Sequence, residues 1–167
     1  MSRFILLLFI LIFSLSEFGF PQKLNSDSLS LILQDKKGKE RIDFLNELAF
    51  SLRESYQTEA LLYSKEADSL AKSIEDLSGQ SRALENTGWI YYRQGQWQKS
   101  FEISEVAYDL AIKANDQLQA ARLMNTMGAL YYEQQNFQMA IAQFRNGYEL
   151  ATKVKDLNTQ IRSLNNI

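Results

Sequence analysis

Residues 83–122 read ALENTGWIYYRQGQWQKSFEISEVAYDLAIKANDQLQAAR, and residues 123–162 read LMNTMGALYYEQQNFQMAIAQFRNGYELATKVKDLNTQIR. The second stretch repeats the first in a register of forty residues. Three pairs show this register: Gly88 and Gly128, Tyr91 and Tyr131, Asp116 and Asp156. A fixed period of this length is typical of a solenoid, in which each unit buries its apolar face by stacking on the next. The repeat therefore predicts an array of stacked units.

The same register extends beyond these two units. An arginine closes each copy, at Arg82, Arg122 and Arg162. The first copy is degenerate, because Leu48 stands where the glycine belongs. Residues 163–167 begin a further copy, which stops before its expected glycine, and we expect the chain to be the front of a longer protein. Three full units are predicted, at residues 43–82, 83–122 and 123–162.

The N-terminus has the pattern of a secretory signal peptide. Arg3 precedes an apolar run at 4–13, and the small residues Ser14 and Ser16 follow. This run of ten residues is well short of the roughly 20 that a membrane-spanning helix needs. We interpret residues 1–21 as a signal peptide and lead-in, and residues 22–42 as a short helix and a linker. The protein is therefore expected to be exported, to the periplasm or another extracytoplasmic location.

Apolar residues in each unit recur at the three- and four-residue spacing of one helical face. No segment alternates with period two for long enough to be a strand. We therefore predict an all-α fold, a right-handed α-α superhelix of helix hairpins about forty residues long. Asp116 and Gln119 are predicted to form a capping box at the start of a helix. Helices are predicted at residues 41–54, 58–75, 80–93, 97–114, 118–133 and 137–154, with another from Leu157.

The composition restricts the chemistry that the chain can perform. The net charge is −2, whereas a nucleic-acid surface needs a concentrated basic patch. The chain has no Cys and no His, which removes thiolate metal sites and the commonest general base. Its carboxylates are scattered along the helices without a distinctive pair, as is typical of solvated faces. We predict a protein that is not an enzyme and that binds no cofactor, metal ion or nucleic acid.

The repeated residues resemble the tetratricopeptide repeat, whose period is about 34 residues. Gly88 and Gly128 would let two helices approach closely, because a side chain there would hold them apart. The helix-ending proline of the family is missing, and Ile112 and Thr152 stand in its place. Trp97 also recurs, as Phe137, and both are expected to be packing residues. The structural repeat positions are Gly88, Tyr91, Ala107, Gly128, Tyr131, Ala140 and Phe144.

The combination of a signal peptide, a short helix and forty-residue units resembles a narrower group. It is similar to the extracytoplasmic sensor region of bacterial membrane signalling proteins of the Bacteroidetes type. Those proteins continue into a membrane helix and an output domain, often a histidine kinase or a DNA-binding regulator. The resemblance implies a sensory or interaction role in signal transduction, with membrane attachment only through a downstream segment. The alternative is a free-standing secreted or periplasmic scaffold.

In the tetratricopeptide family the first helices of the hairpins line a concave groove. The resemblance therefore implies a binding surface for a protein or peptide, in which asparagine bonds the peptide backbone and arginine pairs with a carboxylate. The alternative is that these residues form an ordinary polar helix face. The predicted groove residues are Arg82, Asn86, Trp89, Tyr92, Arg93, Arg122, Asn125, Tyr132, Arg162 and Asn165.

Overall fold

The computed structural model describes residues 33–167, and the predictions for the signal peptide at 1–21 lie outside them. Residues 36–167 form one compact unit, and residues 33–35 belong to a separate N-terminal unit. No helix in the described part of the chain is long and apolar enough to cross a membrane. The following description concerns the compact unit.

Seven helices and no strand make up residues 36–167, which confirms the predicted all-α class. Each helix packs on the next one in sequence. The odd-numbered helices also pack on one another and form a continuous layer, which we call the first-helix layer. The helices are α1 (Gly38–Leu52), α2 (Gln57–Ser73), α3 (Leu77–Arg93), α4 (Trp97–Lys113), α5 (Gln117–Glu133), α6 (Phe137–Lys153) and α7 (Leu157–Asn166).

The forty-residue period comes from equal helices and equal connections. Helices α3 to α6 are 17 residues long, and the connections between them have three residues. The middle residue of each connection has a positive φ, and the amide of the third residue bonds to a carbonyl five residues earlier. In the connection before α5, for example, the Asp116 amide donates to the carbonyl of Ala111 at 2.9 Å. This Schellman-type turn satisfies the last carbonyls of a helix and reverses the chain in the same way each time.

Aspartate residues cap three of the four first helices, α3, α5 and α7. Asp76 accepts a hydrogen bond of 3.0 Å from the amide of Gly79, so α3 starts at Leu77 and not at the predicted Gln80. Asp116 accepts from the amide of Gln119, also at 3.0 Å, which confirms the predicted cap of α5. The reciprocal half of the capping box was wrong, because the Gln119 side chain donates to Glu85 instead.

A stripe of small buried residues runs along each second helix and brings it close to its first helix. The stripe repeats at intervals of four, three and four residues, and Phe144 is its one large member. We call this pattern the small-residue stripe. Its members are Ala60, Ser64, Ala67 and Ala71 in α2, Ser100, Ser104, Ala107 and Ala111 in α4, and Ala140, Phe144, Gly147 and Ala151 in α6.

The two repeated glycines lie where the helices of a hairpin touch. A Cβ atom on Gly88 would lie 3.0 Å from the Ser104 hydroxyl, and one on Gly128 would lie 2.5 Å from the Phe144 ring.

The half-buried Tyr131 meets Phe101 of the preceding hairpin edge to face, with the ring centroids 5.3 Å apart. The half-buried Tyr91 lies under the ammonium group of a lysine in the α4 first turn.

The expectation that Trp97 and Phe137 are packing residues was wrong. Trp97 is 44% exposed and Phe137 is 53% exposed. Both are the first residue of a second helix, at the outer end of the hairpin, where the neighbouring hairpin does not cover them. Phe137 makes one aromatic contact, with Tyr132 across the turn at 5.4 Å between ring centroids.

Candidate functional site: the first-helix layer

Two neighbouring cavities open between α1, α3 and α5 and share the side chains of Arg82 and Arg122. The first has a volume of about 270 Å³ and the second about 320 Å³. The first cavity is lined by Asn46, Glu47, Phe50, Arg82, Glu85, Asn86 and Arg122. The second adds Lys39, Asp43, Ser78, Asp116, Leu118 and Gln119 to the same two arginines.

The two shared arginines differ in whether other described residues already pair with them. Arg82 forms an ion pair with Asp43 of α1. Arg122 is half-buried, and its side chain makes no hydrogen bond or ion pair with any described residue. Its charge does help to hold the pKa of Asp156 below the usual range. Arg122 is therefore a guanidinium on a cavity wall with hydrogen-bonding capacity left for a ligand.

A buried ion pair lies next to the first cavity, and Glu85 is its member that lines the cavity. The Arg53 guanidinium lies 3.6 Å from a carboxylate oxygen of Glu85, and both side chains are buried. Burial lowers the pKa of Arg53, and the carboxylate of Glu85 opposes that shift. Arg53 also stacks on Phe50 and Trp89, at 4.0 and 5.1 Å from the ring centroids. The pair joins α1 to α3 and fixes the aromatic rings beside the cavity.

Arg53 was missed from the sequence, although the register contains a signal for it. Arg53 stands forty residues before Arg93, which was predicted as a groove residue. The first unit was considered degenerate, so its own arginine was not weighed. Arg93 itself is exposed and forms an ion pair with Glu54 at 3.3 Å.

The predicted asparagines of the second and third units are structural in this fold. Asn86 is buried, donates to the Asn46 carbonyl at 3.0 Å and accepts from Arg53 at 3.1 Å. Asn125 is also buried and donates to the hydroxyl of Ser163 in α7 at 2.8 Å. Both amide groups join neighbouring first helices and are buried there, and Oδ1 of Asn125 has no hydrogen-bond partner among the described residues.

The predicted aromatic residues form a second part of the layer. Trp89 and Tyr92 lie with their ring centroids 5.2 Å apart, and the Trp89 indole donates to Glu54 at 2.6 Å. The Tyr92 hydroxyl donates to Glu133 of α5 at 2.9 Å. Burial, together with this hydrogen bond and the charge of Glu133, raises the pKa of Tyr92 to about 12. The Tyr92 hydroxyl therefore stays protonated near neutral pH and joins α3 to α5.

A third cavity, of about 320 Å³, lies between α3, α5 and α7. It is lined by Tyr92, Ala129, Tyr132, Phe144, Asn165 and Asn166. Tyr132 is 58% exposed and supplies most of the accessible aromatic surface there. The predicted groove residues thus fall into an arginine-rich part and an aromatic part. Four of them line none of these three cavities: Trp89, Arg93, Asn125 and Arg162.

Comparison with known families agrees with this architecture. A model of the tetratricopeptide repeat matches residues 79–153, which cover nearly all of α3 to α6. No curated protein matches the chain. The family match and the repeated helix hairpins together support tetratricopeptide repeats at residues 79–153. Such repeats generally mediate protein–protein interaction and are generally not catalytic. Among residues 33–167, no group of three His, Cys, Asp or Glu side chains is placed to hold a metal ion.

Proposed function

We propose that this protein is a non-catalytic repeat module that binds a protein or peptide in extended form on the first-helix layer, across α1, α3 and α5. The observation that carries the proposal is Arg122, a half-buried guanidinium shared by two cavities and unpaired within the described chain. A carboxylate of the ligand would pair with it in a charge-assisted hydrogen bond.

The lining of the first cavity also offers one acceptor for a peptide amide. Asn46 lines this cavity, and its side-chain oxygen Oδ1 is buried and has no hydrogen-bond partner among the described residues. A buried acceptor without a donor costs free energy, so a peptide N–H that reaches it gains more than the same bond at an open surface. Asn46 therefore takes the backbone-binding role that the resemblance had given to Asn86.

A peptide library with one fixed aspartate or glutamate tests this function on the full chain. We expect Arg122→Ala to weaken the selected peptides at least tenfold, and the loss should be greatest at low salt. Arg145→Ala is the matched control, because Arg145 is an exposed arginine on α6 and lines none of the three cavities. If the two variants bound the peptides with equal affinity, the proposed pairing of Arg122 with a ligand carboxylate would be wrong.

The broader role that we propose is the extracytoplasmic sensory or interaction part of a bacterial membrane signalling protein. It is supported by the signal-peptide pattern of residues 1–21 and by the resemblance of the repeats to such sensor regions. Residues 1–25 fused to a reporter that works only outside the cytoplasm should give a signal. A reporter that stays silent, while a known signal peptide activates it, would contradict export.

The second candidate is a free-standing scaffold in the periplasm or outside the cell. The two roles differ in what the gene encodes beyond residue 167. An apolar stretch of about 20 residues followed by a kinase or DNA-binding domain supports the signalling role. A stop codon after further repeats supports the scaffold.

A further inference from the structure

Two charges of opposite sign have no partner in the cavities between α1, α3 and α5. Most of the charged side chains that line these cavities are already paired or hydrogen-bonded within the described chain: Lys39, Asp43, Arg82, Glu85 and Asp116. The exceptions are Glu47 and Arg122, which make no hydrogen bond or ion pair with any of residues 33–167. Both line the first cavity, Glu47 from α1 and Arg122 from α5.

The repeat register explains why Arg122 has no partner of its own. Its counterpart in α3 is Arg82, which forms an ion pair with Asp43 of the preceding first helix. Forty residues after Asp43 the chain has Ala83, which is fully buried and has no polar side-chain atom. The array therefore repeats the guanidinium of this ion pair in α5 but does not repeat its carboxylate.

Glu47 is found in the first unit alone. Its counterparts are Thr87 in α3 and Met127 in α5, and neither of them is charged. Glu47 is exposed and precedes Phe50 by three residues, so its carboxylate and the Phe50 ring are neighbours on the same face of α1. Phe50 lines the same cavity and is 47% exposed. The α1 wall of the cavity thus offers an unpaired anion beside an accessible aromatic ring.

A basic side chain complements this wall. The methylene groups of a lysine pack along an apolar surface while its ammonium group remains at the polar edge. On the α1 wall the methylene groups would cover the Phe50 ring, and the ammonium group would pair with the Glu47 carboxylate. An acidic side chain at the same place would be repelled by Glu47, and an apolar one would leave Glu47 without a partner.

We propose that the peptide bound in the first cavity carries a basic residue as well as an acidic one, and that Glu47 selects the basic residue. This inference rests on the proposed function and adds a second determinant to it. Arg122 binds the acidic side chain from the α5 wall, and Glu47 binds the basic side chain from the α1 wall. Because the two walls carry opposite charges, the order of the two residues along the peptide sets the direction in which it crosses the first helices.

Peptide libraries with one fixed glutamate test the inference on the full chain. The peptides are acetylated and amidated, so that their terminal charges do not contribute. In each sub-library one further position, on either side of the glutamate, is fixed as lysine or as the uncharged glutamine. We expect lysine at one particular separation to bind about three- to fivefold more tightly than glutamine there, as is typical of a partly exposed ion pair. The gain should decrease as the salt concentration rises.

Variants of the protein assign this gain to the Glu47 carboxylate. Glu47→Gln should abolish the preference for lysine but keep the dependence on the fixed glutamate and on Arg122. Glu47→Lys should reverse the preference, so that a second glutamate at the selected position binds better than lysine. Glu149→Lys is the matched control and should keep the preference for lysine, because Glu149 is exposed on α6 and lines none of the three cavities. Circular dichroism should show that all three variants remain folded.

Two results would overturn this inference and leave the proposed function intact. The first is binding that depends on the fixed glutamate and on Arg122 but is equal for lysine and glutamine at every separation. The second is a preference for lysine that persists in the Glu47→Gln variant. If no peptide binding depended on Arg122, the proposed function would be wrong, and this inference would be wrong with it.

Discussion

The hairpins α3–α4 and α5–α6 have the same backbone and solve the same packing problem with different side chains. Both have a glycine at the point of closest approach, but Gly88 faces Ser104, whereas Gly128 faces the ring of Phe144. Helix lengths and turns are identical in the two hairpins. The comparison shows that the distance between paired helices depends on the small-residue stripe as a whole. It does not require the same type of residue at each position of the stripe.

The polar contacts between first helices differ in the same way. Glu85 of α3 has a buried ionic contact with Arg53 of α1, while its counterpart in α5, Asn125, bonds to the Ser163 hydroxyl of α7. At the same repeat position, an ion pair joins α1 to α3 and an amide joins α5 to α7. Four predictions test how much each difference contributes to stability.

The largest effect is expected at this polar position. Glu85→Ala leaves Arg53 buried without its carboxylate, which should cost about 3–5 kcal/mol of unfolding free energy. Asn125→Ala removes neutral hydrogen bonds and should cost about 1–3 kcal/mol. Urea denaturation followed by circular dichroism measures both. The Arg53→Met, Glu85→Leu double variant is the control and should recover most of the loss, because a well-packed apolar pair avoids the desolvation of the two charges.

The second effect concerns the repeated glycines. Gly128→Ala should cost about 1–3 kcal/mol, because the new Cβ would lie 2.5 Å from the Phe144 ring. Gly88→Ala should be nearly neutral, since contact with the Ser104 hydroxyl at 3.0 Å is offset by the higher helix propensity of alanine. Thermal melts of the two single variants test the difference. If Gly88→Ala lowered the melting temperature more than Gly128→Ala, the Phe144 ring would not be the contact that limits how closely the helices approach.

The third effect concerns the helix caps and depends on pH. The side-chain and amide hydrogen bonds of Thr159, with the charges of Arg122 and Arg162, hold the pKa of Asp156 below 3.8. The unfolded chain therefore takes up the Asp156 proton first as the pH falls. The stabilisation by the Asp156 cap is complete above the pKa of Asp156 in the unfolded chain. It is lost as the pH falls through the pKa of Asp156 in the folded chain.

Asp156→Ala should accordingly cost about 1 kcal/mol near neutral pH. The difference from the native chain should shrink in acid, as the pH falls below the pKa of Asp156 in the unfolded chain. Urea titrations at a series of pH values give the comparison. A difference that did not change with pH would mean that the carboxylate charge does not contribute to the cap.

The smallest effect is expected at the turn between the helices of each hairpin. Gly95 and Gln135 occupy the same repeat position, with φ of 72° and 59°. Only glycine adopts this left-handed backbone without steric cost. Gln135→Gly should therefore stabilise the protein by up to about 1 kcal/mol, and Gly95→Gln should destabilise it by a similar amount. Opposite shifts in melting temperature would confirm that the two turns are equivalent.

Most helix boundaries could be predicted from the sequence because they depend on local chemistry. Phe137 begins α6 as predicted, and the turns before Trp97 and after Glu133 lie where the breaks in the apolar pattern indicated. The start of α3 was missed because Gly79 resembles a helix terminator. In the structure Gly79 lies in the first turn and donates its amide to Asp76.

The candidate site was predicted less completely, because which side of a helix meets its neighbour is a tertiary property. The register put Arg82 and Arg122 among the groove residues, and the structure brings both to one cavity. It also put Asn86 and Asn125 among the groove residues, where both turned out to be buried between first helices. A pattern of polar residues does not distinguish an amide that faces solvent from one that bonds to the next helix.

The sequence by itself determined the class of fold, the forty-residue unit and the small residues that let paired helices approach. These features depend on spacing along one chain, and a period of apolar and small residues reports that spacing directly. Only the tertiary structure decided that Arg53 is buried with Glu85 and that Trp97 is exposed. Each of these outcomes depends on which neighbouring helix covers a residue. The sequence gives the register of the units, but it does not show which side chains of neighbouring units meet.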